Sequence, residues 1–327
     1  MGLGYIPRLG CLLAFIACFV GNEAWAQSYP AKPIRVVDAY PPGGSTDVVA
    51  RMIGQKFLES QKQPWVVDNR PGAQGIIGTD FVAKAPGDGY TLLMFTGSHT
   101  IHPSIYKNLP YDFLRAFVPI THTSNTTNVL VVHPSVPVKS VRELVALAKA
   151  KPDRLNFSSA GTGSTTHMAT ELLKSMTGIT MTHIPYKGSA PAVLDAVAGH
   201  VDLAFAPMPV AAPHIRSGKL RALGVASAKR AIAIPELPTI AEAGVPGYEA
   251  TNSVGVLAPA GTPRDVVSFL NQEIVRILSL NDVRERLVSL GAEPVGSTPE
   301  QFGEFMRTEI AKWSRVVRDA RVPLQAW

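Results

Sequence analysis

The chain has 327 residues, of which 46% are hydrophobic and 17% are charged, and it carries a net charge of +6. This length allows two domains of ordinary size. The scattered basic residues, with few aromatic residues between them, argue against nucleic acid and are compatible with an anionic small molecule. Both cysteines, Cys11 and Cys18, lie near the N-terminus, so the chain beyond residue 26 has no disulfide, thiol nucleophile or cysteine metal ligand.

The first 26 residues have the pattern of a signal peptide. Arg8 precedes an apolar run from Leu9 to Val20, and Ala24-Trp25-Ala26 is a small-x-small cleavage site. Twelve apolar residues are too few for a membrane span, which needs about 20. The alternatives are a membrane anchor, against which this length argues, and a lipid on Cys18, for which Phe15 is a poor signal residue. We therefore expect an exported protein that is cleaved near Ala26.

Beyond the signal peptide, strand-like and helix-like segments alternate. Helical patterns such as "STDVVARMIGQKFLES" and "SAPAVLDAVAGH" separate the strand-like runs, and the chain is mostly helical from Pro263 onward. Strands that alternate with helices of 10–15 residues indicate βαβ units, so we predict an α/β fold with a largely parallel sheet. The β-branched runs lie at 34–40, 65–69, 91–96, 129–133, 155–160, 180–186, 201–206, 220–227 and 253–260.

One short motif occurs twice, each time between a strand and a helix. Gly44-Ser45-Thr46 follows the strand "IRVVDAY", and Gly163-Ser164-Thr165 follows the strand "LNFSSA". The triplets match residue for residue. Serine and threonine are preferred helix N-caps, which explains either copy alone but not two copies in equivalent contexts. The repeat therefore predicts two similar domains, each with a glycine turn at the start of a helix.

Such a turn is suited to binding an anion. The N-terminus of a helix presents unpaired N–H groups and about half a positive charge, and it binds phosphate, sulfate or carboxylate without a cationic side chain. A nucleotide is disfavoured because neither turn has the lysine of a P-loop, and Thr166 replaces the third glycine of the dinucleotide motif. Two helix ends that face each other favour a small carboxylate held from both sides.

Hydrolysis and metal binding are the competing readings of these residues. Ser164 follows a glycine, but the Gly-x-Ser-x-Gly elbow is absent and His167 lies on the same helix. His99 and His102 have no obvious third metal ligand, and surface histidines explain them better. An exported serine hydrolase that uses Ser164 and His167 stays the less favoured alternative. We predict no catalytic residue, no metal and no cofactor.

A series of longer motifs covers the chain from about Tyr29 to the C-terminal helix. They include "YPAKPIRVV", "PPGGSTDVVAR", "DNRPGAQGIIG", "FSSAGTGSTTHMATELL", "IPYKGSAPAVLDAVAGHVD", "HIRSGKLRALGVAS" and "PELPTIAEAGVPGYEA". With these motifs the sequence resembles the Bug (Bordetella uptake gene) family, the extracytoplasmic solute-binding proteins of tripartite tricarboxylate transporters.

The resemblance implies a two-domain, periplasmic-binding-protein-like fold of type II, with two crossover segments and a cleft between the domains. Domain 1 is expected at 27–122 plus 249–327, and domain 2 is the inserted segment 123–248. The implied protein is a periplasmic monomer that is no enzyme. It captures an organic carboxylate and delivers it to the membrane permease subunits of a tripartite tricarboxylate transporter. A sensor that signals to a membrane kinase is the alternative, since both roles need the same loaded form.

The resemblance also implies the binding residues, because in this family two loops hold a ligand carboxylate largely through backbone N–H groups and bridging waters. Asp47 either caps its helix or orders the loop, and His167 has a packing role or a similar ordering role. Lys187 is a partner for a second ligand charge or a solvated lysine, and Asp202 is expected to orient a loop. The full predicted set is Tyr40, Gly43, Gly44, Ser45, Thr46, Asp47, Ala160, Gly161, Thr162, Gly163, Ser164, Thr165, His167, Tyr186, Lys187 and Asp202.

Three segments depart from the family pattern. Ser253 stands where many members have tryptophan, Gly97-Ser98-His99 replaces a small polar pair, and Pro207-Met208-Pro209 is bulky and apolar where polar residues are common. A lost indole enlarges one wall of the cleft, and a methionine makes an adaptable apolar surface. We therefore predict a ligand with an apolar or aromatic body, in preference to a compact hydroxylated tricarboxylate.

Overall fold

The computed structural model describes residues 1–2 and 29–326, so residues 3–26 of the predicted signal peptide and its cleavage site fall outside the described part of the chain. Within that part, no helix combines the length and the hydropathy that crossing a bilayer requires. The strands are β1 (Ile34–Asp38), β2 (Trp65–Asn69), β3 (Thr91–Thr96), β4 (Phe117–Thr126), β5 (Asn128–Val132), β6 (Asn156–Ser159), β7 (Thr182–Pro185), β8 (Leu203–Pro207), β9 (Arg221–Val225), β10 (Asn252–Pro259) and β11 (Ala292–Pro294).

The helices pack on both faces of the two sheets that these strands form. They are α1 (Ser45–Gln61), α2 (Ile76–Ala83), α3 (Ser98–Ile105), α4 (Phe113–Ala116), α5 (Val141–Ala150), α6 (Thr165–Thr177), α7 (Ser189–Ala198), α8 (Met208–Arg216), α9 (Arg264–Leu278), α10 (Asn281–Ser289) and α11 (Pro299–Asp319), with a short 3₁₀ turn at Ala73–Gly75.

The first sheet has the order β11-β4-β10-β3-β1-β2, and the second has the order β7-β6-β8-β5-β9. The α/β fold is confirmed, but the prediction of a largely parallel sheet is wrong. Strand β10 runs antiparallel to β3 and β4, and β5 runs antiparallel to β8 and β9. The physical reason is that β5 and β10 enter their sheets directly from the other sheet, without the crossover helix that makes neighbouring strands parallel.

The chain passes between the sheets at two places. Strand β4 ends at Thr126 in the first sheet and β5 begins at Asn128 in the second, while the return runs from the end of β9 to the start of β10. Strand β4 continues past residue 122 because Thr126 still pairs with Asn252 of β10 and Ala292 of β11.

Two helices contribute to the packing of both sheets. The core of the second sheet includes Ile101 and Ile105 of α3, and Trp313 and Val316 near the end of α11. The beginning of α11 instead packs on the first sheet through Phe302, together with Met306. The two sheets are therefore linked by α3 and α11 as well as by the crossing strands.

The loops of interest follow β1 and β6. Strand β1 pairs in parallel with β2 and β3, and β6 pairs in parallel with β7 and β8. In open α/β sheets, ligands bind outside the carboxyl ends of the strands. The loops that lead from β1 into α1 and from β6 into α6 lie at these ends.

Candidate functional site

The first loop ends in a helix start that lacks a side-chain cap. Gly44 is the N-cap of α1, with φ of −73° and ψ of 171°, and it supplies no side-chain acceptor. The backbone N–H groups of Gly44, Ser45 and Thr46 have no hydrogen-bond acceptor within residues 29–326. These are the unpaired donors of a helix N-terminus, and they stay available to an anion.

The second loop ends in a helix start that is partly capped. Ser164 is the N-cap of α6, and its hydroxyl accepts the N–H of His167 at 3.2 Å. The N–H groups of Thr162, Thr165 and Thr166 have no acceptor in the described part of the chain. This end therefore also presents free donors.

The two Gly-Ser-Thr triplets do not occupy equivalent positions. A left-handed glycine precedes the N-cap in each loop, and it is Gly43 (φ 85°) in the first and Gly163 (φ 81°) in the second. Gly43 therefore matches Gly163, and Ser45 matches Thr165, because both begin their helices. The residue-for-residue match predicted from sequence is wrong by one position.

In the corrected alignment Asp47 and His167 occupy the same place. The N–H of Gly43 donates to Asp47 Oδ2 at 3.0 Å, and the N–H of Gly163 donates to His167 Nδ1 at 3.3 Å. Each side chain thus reaches back four residues and fixes the glycine that turns the loop. This backbone bond is the shared feature of the two loops.

Asp47 is the centre of a network that holds the first loop. Arg51 donates from its guanidinium to Asp47 Oδ1 at 2.9 Å, and Asn69 donates from its amide to the same oxygen at 3.1 Å. The Asn69 amide also reaches the Tyr40 carbonyl at 3.2 Å. Burial alone raises the pKa of Asp47, but the bonds from Arg51, Gly43 and Asn69 outweigh it and lower the pKa. The carboxylate is therefore ionised and orders the loop.

His167 is a neutral ring in the packed wall behind the second loop. Its ring stacks on His183 with centroids 4.1 Å apart. Burial, with the nearby His183 and Lys174, lowers the pKa of His167 to about 3. The neutral Nδ1 accepts from Gly163, and no bond joins the ring to the Ser164 hydroxyl within the described residues. The pair needed for a serine nucleophile is not assembled.

The two helix ends are close to each other. The Asn252 side-chain oxygen Oδ1 accepts the Thr96 hydroxyl at 2.8 Å and the Gly97 N–H at 3.3 Å, while its side-chain nitrogen Nδ2 reaches the Ser45 hydroxyl at 3.4 Å. A Cβ added to Gly97 would lie 3.1 Å from Thr165 Cγ2. The starts of α1 and α6 therefore meet through Asn252 and Gly97, as the sequence-based hypothesis of one shared site requires.

Other predicted residues lie at the rim or in the frame of this site. The Tyr186 N–H donates to the Ser159 carbonyl, and its hydroxyl donates to Asp195. Lys187 is exposed. The Ala160 N–H donates to the Thr166 hydroxyl at 3.0 Å, so this backbone group is not free for a ligand.

One predicted site residue lies away from the two loops, and one interpretation from the sequence is wrong. Asp202 precedes β8, at the sheet edge opposite the loops, where its carboxylate accepts the Asn156 N–H at 2.8 Å and holds the starts of β6 and β8 together. Met208 does not line the cleft, because it is 3% exposed and packs in the core against Gly291. The apolar ligand surface predicted from Met208 is therefore absent from the described structure.

His99 and His102 are buried, so the prediction that they are surface histidines is wrong. The His99 ring bonds to the Thr79 hydroxyl at 2.9 Å and to the backbone of Thr96, and it stacks on Phe113. Burial lowers the pKa of both histidines. The His102 ring packs edge-to-face against the Tyr106 ring.

Sequence reasoning missed Asp38. Asp38 ends β1 beneath the first loop and is fully buried. Its two carboxylate oxygens accept the Thr46 hydroxyl at 3.0 and 2.9 Å, and one accepts the Tyr40 N–H at 3.2 Å. The signal for Asp38 is a carboxylate that directly follows the apolar pair Val36-Val37 at the end of a strand.

Asp38 should make the stability of the protein depend on pH. Burial raises its pKa from 3.8 to about 7. A carboxyl whose folded pKa is raised stabilises the fold below its unfolded pKa, and this stability is lost as the pH rises toward the folded pKa. At pH 8 we expect the free energy of unfolding of Asp38→Asn to exceed that of the wild type by about 1–3 kcal/mol.

Urea unfolding at pH 5, 6.5 and 8 measures this effect. The difference in the free energy of unfolding between Asp38→Asn and the wild type should grow from pH 5 to pH 8. A difference that is constant from pH 5 to pH 8 would show that Asp38 is already ionised at pH 5.

Comparison with known proteins gives consistent matches. Residues 49–322 match the family described as "Tripartite tricarboxylate transporter family receptor". The protein BugT of Bordetella pertussis is 40% identical over 321 residues, which cover 96% of this chain and 98% of BugT.

Solved structures of relatives include ligand complexes. An R. palustris protein with adipate is 38% identical, with a TM-score of 0.85, and the match covers 91% of this chain and 100% of that protein. MatC from Rhodopseudomonas palustris, with bound malate, is 32% identical, with a TM-score of 0.80, and the match covers 88% and 100% of the two chains. Both ligands are dicarboxylates.

Proposed function

The chain belongs to the tripartite tricarboxylate transporter receptor family, and from this premise we propose that it captures a small dicarboxylate in the cleft between its two sheets. The resemblance to the Bug family, found from the motifs, is confirmed. We further propose that the protein works in the periplasm as a monomer and delivers its ligand to the membrane permease subunits of such a transporter.

The observation that carries this proposal is the pair of helix starts with free N–H groups. The donors at Ser45 and Thr46 of α1 and at Thr165 and Thr166 of α6 have no acceptor among residues 29–326. A hydrogen bond to an ionised acceptor is worth about 1.5–3 kcal/mol. Four such bonds amount to about 6–12 kcal/mol before the entropy cost of association, against the roughly 8 kcal/mol of micromolar affinity. A carboxylate needs only donors, so the site works without a cation.

The charged residues near the site favour this reading. Arg51 is committed to Asp47, so it is not the cation that a highly charged phosphate would need. Lys187 is exposed at the rim, where it suits the second charge of a dicarboxylate. With Met208 in the core, the prediction of an aromatic ligand loses one of its two supports. The adipate and malate of the related proteins support a dicarboxylate instead.

A ligand panel tests the proposal. Residues 27–327, refolded to strip bound ligand, would be tested by thermal shift and calorimetry against mono-, di- and tricarboxylates, their amides and inorganic phosphate. A ligand at 100 times its Kd should add about 2.7 kcal/mol of stability. We expect shifts with dicarboxylates and none with their diamides. A shift with phosphate alone, or with no carboxylate, would contradict the proposal.

Transport and sensing need different experiments, because both use the loaded protein. Uptake of a radiolabelled ligand should fall in cells that lack this protein and recover when it is restored. Normal uptake, together with loss of a ligand-induced transcriptional response, would instead assign the protein to a sensor.

A further inference from the structure

The short turn between β2 and α2 has an unusual backbone. Four consecutive residues have positive φ, namely Gly72 (142°), Ala73 (46°), Gln74 (56°) and Gly75 (93°). Glycine adopts such angles freely, but alanine and glutamine are strained in the left-handed region. Strain of this kind persists only where the surroundings impose it, and it is concentrated at functional sites.

Tyr40 of the first ligand loop imposes this conformation. Its hydroxyl donates to the Gln74 carbonyl at 3.0 Å. A Cβ on Gly75 would lie 2.9 Å from the Tyr40 ring, so the turn is pressed against that ring. The Gly75 N–H closes the turn on the Gly72 carbonyl at 2.9 Å. The position of Gln74 is therefore fixed from the ligand loop itself.

The Gln74 side chain reaches the loop of the other sheet. A Cβ on Gly161 would overlap Gln74 Nε2, so the amide nitrogen rests directly on Gly161. The side-chain amide is half-buried and has no hydrogen-bond partner within the described part of the chain. The next residue along that loop is Thr162, whose N–H is free.

We propose that Gln74 is a specificity-determining contact, whose amide Nε2 donates to the ligand carboxylate held at the start of α6. The inference rests on the proposed function. The backbone N–H donors of the loop between β6 and α6 come from the side of the second sheet, and Gln74 adds a donor from the side of the first sheet. A carboxylate accepts from both sides at once, whereas an amide or ester offers fewer acceptors and an amide N–H opposes Nε2. Gln74 thus favours a free carboxylate over its amide.

Two glycine substitutions separate this role from the backbone strain. Ala73→Gly and Gln74→Gly both place glycine at a left-handed position, but only Gln74→Gly removes the amide. Ala73 is exposed and serves as the matched control. We expect the Kd for a dicarboxylate to stay within about 3-fold of the wild type in Ala73→Gly and to rise about 10-fold in Gln74→Gly. Gln74→Glu, which replaces the donors with a carboxylate, should raise Kd by at least about 30-fold.

Selectivity is the readout that a purely structural role would not move. The preference for a dicarboxylate over its monoamide should fall in Gln74→Gly and stay unchanged in Ala73→Gly. If the wild type binds a dicarboxylate, equal affinities and an equal preference for the dicarboxylate over its monoamide in the two glycine variants would overturn the inference. A wild type that binds no carboxylate would instead show that the proposed function is wrong.

Discussion

Replacing Thr165 with proline should weaken carboxylate binding by about 10- to 100-fold and leave the fold intact. Thr165 is the first residue of α6, where a missing N–H breaks no helical bond and the fixed φ of proline suits the helix. Ser164 before it is extended, with ψ of 158°, as a residue before proline prefers. Helix α11 already begins with Pro299. The expected loss is one hydrogen bond to an ionised acceptor, about 1.5–3 kcal/mol.

Thr165→Val is the matched control, because it also loses the hydroxyl but keeps the N–H and a methyl group next to Gly97. Its Kd, measured by calorimetry, should stay within about 3-fold of the wild type. Circular dichroism and the unfolding midpoint should be similar in both variants. Equal losses in the two variants would assign binding to the hydroxyl. Wild-type affinity in a folded Thr165→Pro would remove the start of α6 from the ligand site.

Asp47→Ala should lower both stability and affinity, because this carboxylate holds the first loop. The substitution removes the acceptor of Gly43, Arg51 and Asn69 together. Arg51 is half-exposed, so its charge is rehydrated and the cost is smaller than for a fully buried pair. With hydrogen bonds worth about 1 kcal/mol each and a helix-dipole contribution of about 0.3–1 kcal/mol, we expect a loss of about 2–4 kcal/mol.

Asp265→Ala provides the comparison. Asp265 is also acidic and in the first turn of a helix, but it is exposed and forms no side-chain hydrogen bond or ion pair within residues 29–326. Urea unfolding should show a loss of at most about 1 kcal/mol for this variant, which is the dipole contribution alone. Ligand affinity should fall about 10-fold or more only in Asp47→Ala. Similar losses in both variants would mean that the Asp47 network does not hold the loop.

The stabilisation by Asp47 also has a defined pH range. Its folded pKa lies below the usual value of 3.8. Stability from a depressed carboxyl is present above the unfolded pKa and is lost as the pH falls through the folded pKa. The gap between wild type and Asp47→Ala should therefore be constant above about pH 5 and close in stronger acid.

The alternation of strands and helices and the two glycine turns could be predicted from sequence because both are local. The exact N-cap residue of α1 could not be predicted from sequence. Gly43 and Gly44 are adjacent, and either glycine suits the left-handed position before the cap. The choice depends on Asp47, which is held by Arg51 and Asn69 from outside the turn. The two Gly-Ser-Thr triplets have the same sequence, but tertiary contacts shift the N-cap by one residue between them.

Strand direction explains why Asp202 lies away from the two loops. Ligands lie at the carboxyl ends of parallel strands, and Asp202 precedes its strand, whereas Tyr186 and Lys187 follow theirs. This signal was present in the sequence. Gln74 could not be found in the same way, because its importance rests on backbone angles and on a contact with Gly161, 87 residues away along the chain (161 − 74).

Helix α11 limits how the receptor can open. Its 21 residues span about 31 Å at 1.5 Å each, and they run from Phe302 in the core of the first sheet to Trp313 and Val316 in the core of the second. A straight helix resists bending, so the two halves cannot swing freely about the crossing strands. Opening the cleft therefore requires one end of α11 to shift relative to the core in which it packs. Part of the resistance to opening is therefore located in α11, outside the two loops that hold the free N–H groups.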